Sequence, residues 1–248
     1  MTLELAGKTA VVTGSGRNIG RQVALTLAER GCDVAIHVGS DRAAGEAVAA
    51  EIQASGRRAV TVVADLADVK QVRAMFERVR AELGAVDILV NNAAIRPHSA
   101  FVNITDAGWR EVIGVNLDGP FFCCREVVPG MIAKGWGAIV NITGTAAFDG
   151  GVRDAHIVAS KLGLHGLTKA LAVELGPHGV RVNSIVLGGI ETVRKLPAPT
   201  GGRAIDEIPM RRRGQPADVA QTIAFLVSDA ASYITGQAVH VNGGSLLG

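Results

Sequence analysis

The chain has 248 residues, of which 48% are apolar and 19% charged, and its formal net charge is +2. That length suits one large globular domain spanning 1–248 with a sizeable core, and a charge this near balance argues against nucleic acid or an acidic membrane surface as a partner. No apolar run reaches the roughly 18 residues of a membrane span, the N-terminal stretch MTLELAGKTAVVTG lacks the regions of an export signal, and three cysteines, two of them adjacent (Cys123, Cys124), point to a reducing cytoplasm.

Short Val- and Ile-rich runs alternate with longer amphipathic ones. In chain order, residues 9–14, 33–38, 59–65, 87–93, 137–143, 180–186 and 238–242 read as buried strands. Residues 17–30, 42–55, 67–83 and 216–228 read as helices between them, with two longer helices near 105–130 and 154–175. Such alternation predicts an α/β fold, a doubly wound parallel sheet of about seven strands with helices on both faces. There is no linker, repeat or low-complexity segment, and Gly201-Gly202 in LPAPTGGRA marks the expected mobile loop. No CxxC or HExxH occurs and the six histidines are scattered, so no metal site is expected.

The first strand runs into TGSGRNIG (13–20), which opens the first helix. Glycines there let the backbone approach a pyrophosphate, and the helix N-terminus favours its charge. The position at the first strand–helix junction sets this pattern apart from a structural turn and makes the fold Rossmann-type.

Several motifs then occur in order. Thr13-Gly14 through Gly20 resembles a TGxxxGxG loop, with Asn18 at the middle glycine; Asp65-Leu66 resembles an aspartate that meets adenine; Asn91-Asn92-Ala93-Ala94 resembles an NNAG strand end; Asn116 lies in VNLDG; LGGIET (187–192) resembles PGxIxT; and SYITGQAVHVNGG resembles a C-terminal strand region. Together they resemble the short-chain dehydrogenase/reductase family over nearly the whole chain. The resemblance implies a nicotinamide cofactor held by Gly14, Ser15, Arg17, Asn18, Ile19, Gly20, Ser40, Arg42, Asp65, Leu66, Asn92, Ala93, Lys161, Gly188, Ile190 and Thr192, and pairing through the two long helices into a homodimer or homotetramer. An acidic residue ending the second strand would accept the ribose hydroxyl of NAD. Here that end reads His37-Val38-Gly39-Ser40-Asp41-Arg42, with valine at the acid's position. Arg17 and Arg42 suit a 2′-phosphate as charge-assisted donors, so NADP(H) is preferred, and Asp41 keeps NAD(H) open.

The same resemblance implies a serine and a tyrosine that hold the substrate oxygen, a lysine four residues after the tyrosine and an asparagine that orders water. Lys161 and Asn116 match. Ile157 stands where the tyrosine is expected, Gly144 where the serine is, and the single tyrosine of the chain is the remote Tyr233. His156 has a suitable unperturbed pKa of about 6.5, yet it lies about 100° around the helix from Ile157. Thr143 and Thr145 flank the missing serine. The catalytic candidates are therefore Lys161, Asn116, His156 and Thr145. Arg96 and His98 follow a strand end, where ligands of such sheets bind, and Arg96 suits a carboxylate. Phe148, Val152 and Arg153 complete the expected substrate wall, with a substrate loop over about 192–212; His165 is assigned to packing or a subunit contact.

The expected function is an NADP(H)-dependent oxidoreductase that moves hydride to or from a small carbonyl, imine or activated alkene, with the proton supplied by His156, a threonine or ordered water. Two alternatives stand beside it: a lyase or hydrolase on the same scaffold with Lys161 or a histidine as base, and a cofactor-binding protein without turnover.

Overall fold

The computed structural model describes residues 3–193 and 204–247; Gly201-Gly202 and the centre of the expected substrate loop lie outside them. Seven strands form one sheet in the order β3-β2-β1-β4-β5-β6-β7. They are β1 (Thr9–Val12), β2 (Asp33–Val38), β3 (Ala59–Val63), β4 (Ile88–Asn91), β5 (Gly137–Gly144), β6 (Val180–Leu187) and β7 (Ala238–Val241). Every neighbouring pair is parallel. Between them run α1 (Asn18–Glu29), α2 (Arg42–Ala54), α3 (Val69–Leu83), α4 (Asp106–Ile113), α5 (Gly119–Lys134), α6 (Ala146–Asp149), α7 (Ala155–Leu175) and α8 (Pro216–Val227).

The strands are mostly apolar because both faces are covered. On β1, Ala10 and Val12 pack with α1, α2 and α8, whereas Val11 packs on the other face with α3, α5 and the end of α7. This alternation sets the two layers. The chain builds outward from β1 to β3 and then crosses to β4 on the other side of β1, so the winding reverses between β1 and β4. Their carboxyl ends, at Val12 and Val90, are in register, and the crevice above such a reversal is where open α/β sheets take ligands.

Two differences from expectation bear on the site. The strand run 9–14 ends at Val12, because Gly14 turns left-handed (φ 65°). The helix expected near 105–130 extends to Lys134, and its middle opens into a π-helical turn, Gly114–Asp118, that carries Asn116. Such a turn inserts a residue and redirects the side chains around it. No helix among the described residues is long and apolar enough to cross a membrane.

Candidate active site

The glycine loop leaves β1 and starts α1 within a very short space. A Cβ on Gly20 would lie 2.3 Å from the Gly14 carbonyl oxygen, and one on Gly16 would lie 2.8 Å from Val38 Cγ1. Only glycine permits this approach, and the result is a bare backbone cradle at a helix N-terminus, which fits a dinucleotide pyrophosphate. The turn is braced from below. Asn92 Nδ2 donates to the carbonyls of Thr13 and Gly14 (2.8 and 3.1 Å), and Thr13 Oγ1 accepts from the N–H groups of Asn92 and Ala93 (both 3.0 Å). Ile19 is half-buried behind the loop, against the core of α1.

His37, which the sequence reading passed over, proves central to this brace. The Gly14 N–H donates to its Nδ1 at 3.1 Å, and its Nε2 lies 3.0 Å from the Ala64 carbonyl. The two partners require a neutral ring protonated on Nε2. Burial lowers its pKa below the ordinary 6.5, which keeps the ring in that form. The Ser15 N–H donates to the His37 carbonyl (2.9 Å), and the His37 N–H donates back to Ser15 Oγ (3.1 Å). A histidine within the buried run Val34–Val38 of β2 was the available signal.

At the ribose end, Val38 is buried, whereas Ser40 and Arg42 are exposed. The Asp41 carboxylate accepts the Ala44 N–H at 3.2 Å through Oδ1 as the cap of α2. The Arg42 guanidinium makes an exposed 3.7 Å pair with Glu46. Arg17 is exposed before α1, and its guanidinium has no ion pair or hydrogen bond among the described residues. Asp65 accepts the Ala67 N–H at 3.0 Å and stands exposed beside buried Leu66. Across the crevice, Gly188 fits tightly under β7, since a Cβ there would meet Asn242 at 2.7 Å; Ile190 is buried and Thr192 half-buried.

Lys161 is 7% exposed, and its Nζ donates to the Ile142 carbonyl at 2.7 Å. Burial, with the Arg96 charge nearby, lowers its pKa to about 7, because a low-dielectric site disfavours the ammonium. Asn116, fully buried, accepts the Ile95 N–H (2.9 Å) and donates to the Ile95 carbonyl (3.0 Å) and Ser160 Oγ (3.2 Å). Both of its amide protons are thus committed, and it fixes the strand-end loop that carries Arg96. Ile157 is buried one turn before Lys161. Gly144 leaves space beside it, since a Cβ would meet only the Leu187 carbonyl, at 3.6 Å.

The two flanking threonines separate clearly. Thr143 is buried, and its hydroxyl donates to the Ile185 carbonyl at 3.0 Å. Thr145 is half-buried and anchored through its N–H to the Leu187 carbonyl (2.9 Å), and its hydroxyl has no partner among the described residues. His156 sits inside the first turn of α7, 2% exposed, with Nδ1 unpartnered.

Beyond β4, the Ser99 N–H donates to the Arg153 carbonyl at 2.9 Å, and His98 pairs through Nδ1 with Asp154, the residue before α7. Arg153 adopts a left-handed φ of 67°. The loop 95–99 is therefore held by Asn116 at one end and by residues 153–154 at the other. Nothing in the sequence announced the His98–Asp154 pair. Phe148, partly exposed, packs edge-on against His165 (centroids 5.3 Å apart) and against His240 (5.8 Å). His165 Nδ1 is also hydrogen-bonded with Ser184 Oγ at 3.1 Å. Val152 is exposed.

Comparison with known proteins agrees with this geometry. The family model described as enoyl-(acyl carrier protein) reductase matches residues 14–245. The 3-oxoacyl-(acyl-carrier-protein) reductase FabG of Staphylococcus epidermidis is 40% identical over 239 residues, 96% of this chain and 98% of the relative. The FabG of Aquifex aeolicus is 40% identical over 98% of this chain and 99% of its own. Among solved structures, one described as a short-chain alcohol dehydrogenase from Sinorhizobium meliloti superposes with a TM-score of 0.91 at 34% identity, covering 99% and 98% of the two chains. Another, described as an NAD(P)-dependent gluconate 5-dehydrogenase from Beutenbergia cavernae with NADP bound at low occupancy, gives 0.88 at 38% identity, covering 99% of each.

Proposed function

The chain belongs to the short-chain dehydrogenase/reductase family and is an NAD(P)-dependent oxidoreductase, and from that premise we propose that it uses NADP(H) to reduce or oxidise a small carbonyl, imine or activated alkene with Lys161 in place of a phenol as the proton-exchanging group. The observation that carries this reading is the pairing of Ile157 with a buried Lys161 whose pKa falls to about 7. A group titrating near neutrality both donates and accepts protons efficiently.

The nicotinamide supplies or takes the hydride when bound. Gly14, Gly16 and Gly20 leave room for its pyrophosphate, and Arg17 and Arg42 provide cations for a 2′-phosphate, where Val38 offers no acceptor for a ribose hydroxyl. The Ile142 carbonyl fixes Lys161 Nζ three residues before Thr145, so an ammonium and an uncommitted hydroxyl share one strand end. Lys161 would exchange the proton with substrate, and Thr145 would hold the substrate heteroatom. Asn116 acts as a positioning residue, keeping Arg96 at the mouth of the site. His156, enclosed in the first turn of α7, is the weaker proton source. Losing the phenol costs roughly 10²–10⁴-fold, a deficit that matters least for an imine or an activated alkene. The three cysteines are buried and unbridged, which is consistent with a cytoplasmic enzyme. Exposed Phe121 and Leu162 on α5 and α7 support self-association through those helices.

The test is a fluorescence titration with NADPH and NADH, followed by NADPH consumption against panels of ketones, 3-oxoacyl thioesters, imines and enones. Tight NADPH binding and turnover of at least one class, abolished in Lys161→Ala, are expected. Turnover that survives Lys161→Ala would defeat the assignment of the proton.

A further inference from the structure

Asn18 occupies a left-handed turn (φ 51°) at the first residue of α1. Only glycine adopts that conformation freely, and asparagine is among the few side chains that tolerate it. Here the side chain has a specific use. Its Nδ2 donates to the Val193 carbonyl at 3.0 Å, and its Oδ1 accepts the Val193 N–H, also at 3.0 Å. The carboxamide thus pairs with both backbone groups of Val193 in a closed two-bond ring between residues 175 positions apart. Asparagine brings a donor and an acceptor on one carboxamide, whereas glycine has no side chain and an ionised aspartate only accepts.

The place of this ring in the fold gives it meaning. The segment leaving β6 is fastened as far as Glu191: the Gly188 N–H donates to the Val241 carbonyl (3.1 Å), the Gly214 N–H to the Gly189 carbonyl (2.9 Å) and the Glu191 N–H to the Gly214 carbonyl (2.8 Å). All of these bonds tie it to the far side of the crevice. Val193, whose side chain is 84% exposed, has no other hydrogen bond among the described residues than the two to Asn18. The ring therefore joins the two walls of the crevice, the glycine loop on one side and the segment after β6 on the other, at its rim.

We propose that Asn18 is a cofactor-retaining positioning residue: its carboxamide clasps Val193 across the crevice and slows the escape of a dinucleotide whose pyrophosphate lies on the glycine loop. This inference rests on the reading of the site as an NADP(H) site. It predicts that the clasp acts on the rate of release, because the bonds must open before the diphosphate can leave, and that it does not act on recognition of the adenosine half, since both side-chain bonds of Asn18 go to Val193.

The experiment compares the full-length protein with Asn18→Gly, which preserves the left-handed turn and removes only the carboxamide. Hydrogen exchange of the cofactor-free proteins reads the clasp directly, and the Val193 amide is expected to exchange about tenfold faster in the variant. Stopped-flow displacement of NADPH, followed by its fluorescence, is expected to show release about three- to thirtyfold faster, the worth of one or two solvent-facing hydrogen bonds. The affinity for adenosine 2′,5′-bisphosphate should stay within about twofold. Unchanged Val193 exchange, or faster exchange with unchanged NADPH release, would overturn the proposal. If the wild-type protein takes up neither NADPH nor NADH, the cofactor reading itself fails and the retention role falls with it, whatever Val193 exchange shows.

Discussion

Replacing Lys161 by methionine separates what this residue does for the fold from what it does for the reaction. Methionine fills a similar volume without the charge. In the folded protein the lysine titrates near 7, against an ordinary value of 10.5. Between those values the unfolded chain binds a proton that the folded chain does not, so wild-type stability rises with pH across that window. The slope approaches roughly 1.4 kcal/mol per pH unit for one proton. Below about pH 7 both states are protonated and the burial penalty is at its largest. Lys161→Met should therefore be more stable than wild type at neutral pH, and the gap should shrink by about 2 kcal/mol from pH 7.5 to 9.5. The lost bond to the Ile142 carbonyl costs about 1 kcal/mol at every pH and does not enter the slope. The assay is urea unfolding of the cofactor-free proteins at a series of pH values, with the difference between the two curves plotted against pH. A flat difference would mean that Lys161 keeps its charge in the folded state like a surface lysine, and the proton assignment would lose its physical basis.

Three further outcomes are expected. Ile157→Tyr alone should give no efficient ketone reduction, whereas Gly144→Ser with Ile157→Tyr should raise it by roughly 10²–10⁴-fold; NADPH consumption reads both, and strong ketone turnover by the single variant would contradict the pairing argument. The serine fits the space at 144, while the phenol must displace neighbours of buried Ile157 at a cost of about 1–3 kcal/mol. Arg17→Ala should weaken NADPH binding by roughly 10–100-fold and leave NADH binding nearly unchanged, as the loss of a charge-assisted contact to a 2′-phosphate requires; equal losses for the two nucleotides in a fluorescence titration would exclude that contact. NADPH affinity should hold at the pH where an ordinary histidine titrates and decline only at lower pH, because burial keeps the His37 ring neutral and a proton on its Nδ1 would leave no acceptor for the Gly14 N–H; a His37→Asn variant should flatten that decline in the same titration.

The fold was legible because its signals are local and redundant. Seven Val- and Ile-rich runs fell on the seven strands, since a sheet covered on both faces favours apolar side chains on both. The glycine loop was legible for the same reason: its constraints are steric and lie within a few residues. The missing hydroxyls were also fixed by the sequence, as a chain whose single tyrosine is Tyr233 has no phenol for α7. What the sequence did not contain was partnership. That Asn18 meets Val193, that His37 meets Gly14 and Ala64, and that His98 meets Asp154 depends on which strand ends the sheet order brings together, and those pairs are separated by 23 to 175 positions. Thr143 and Thr145 look alike as residues, yet only the path of β6 decides that the first hydroxyl is spent on the Ile185 carbonyl and the second is not. The titration of Lys161 belongs to the same class, because desolvation is a property of everything packed around a group, and a linear pattern carries no measure of it.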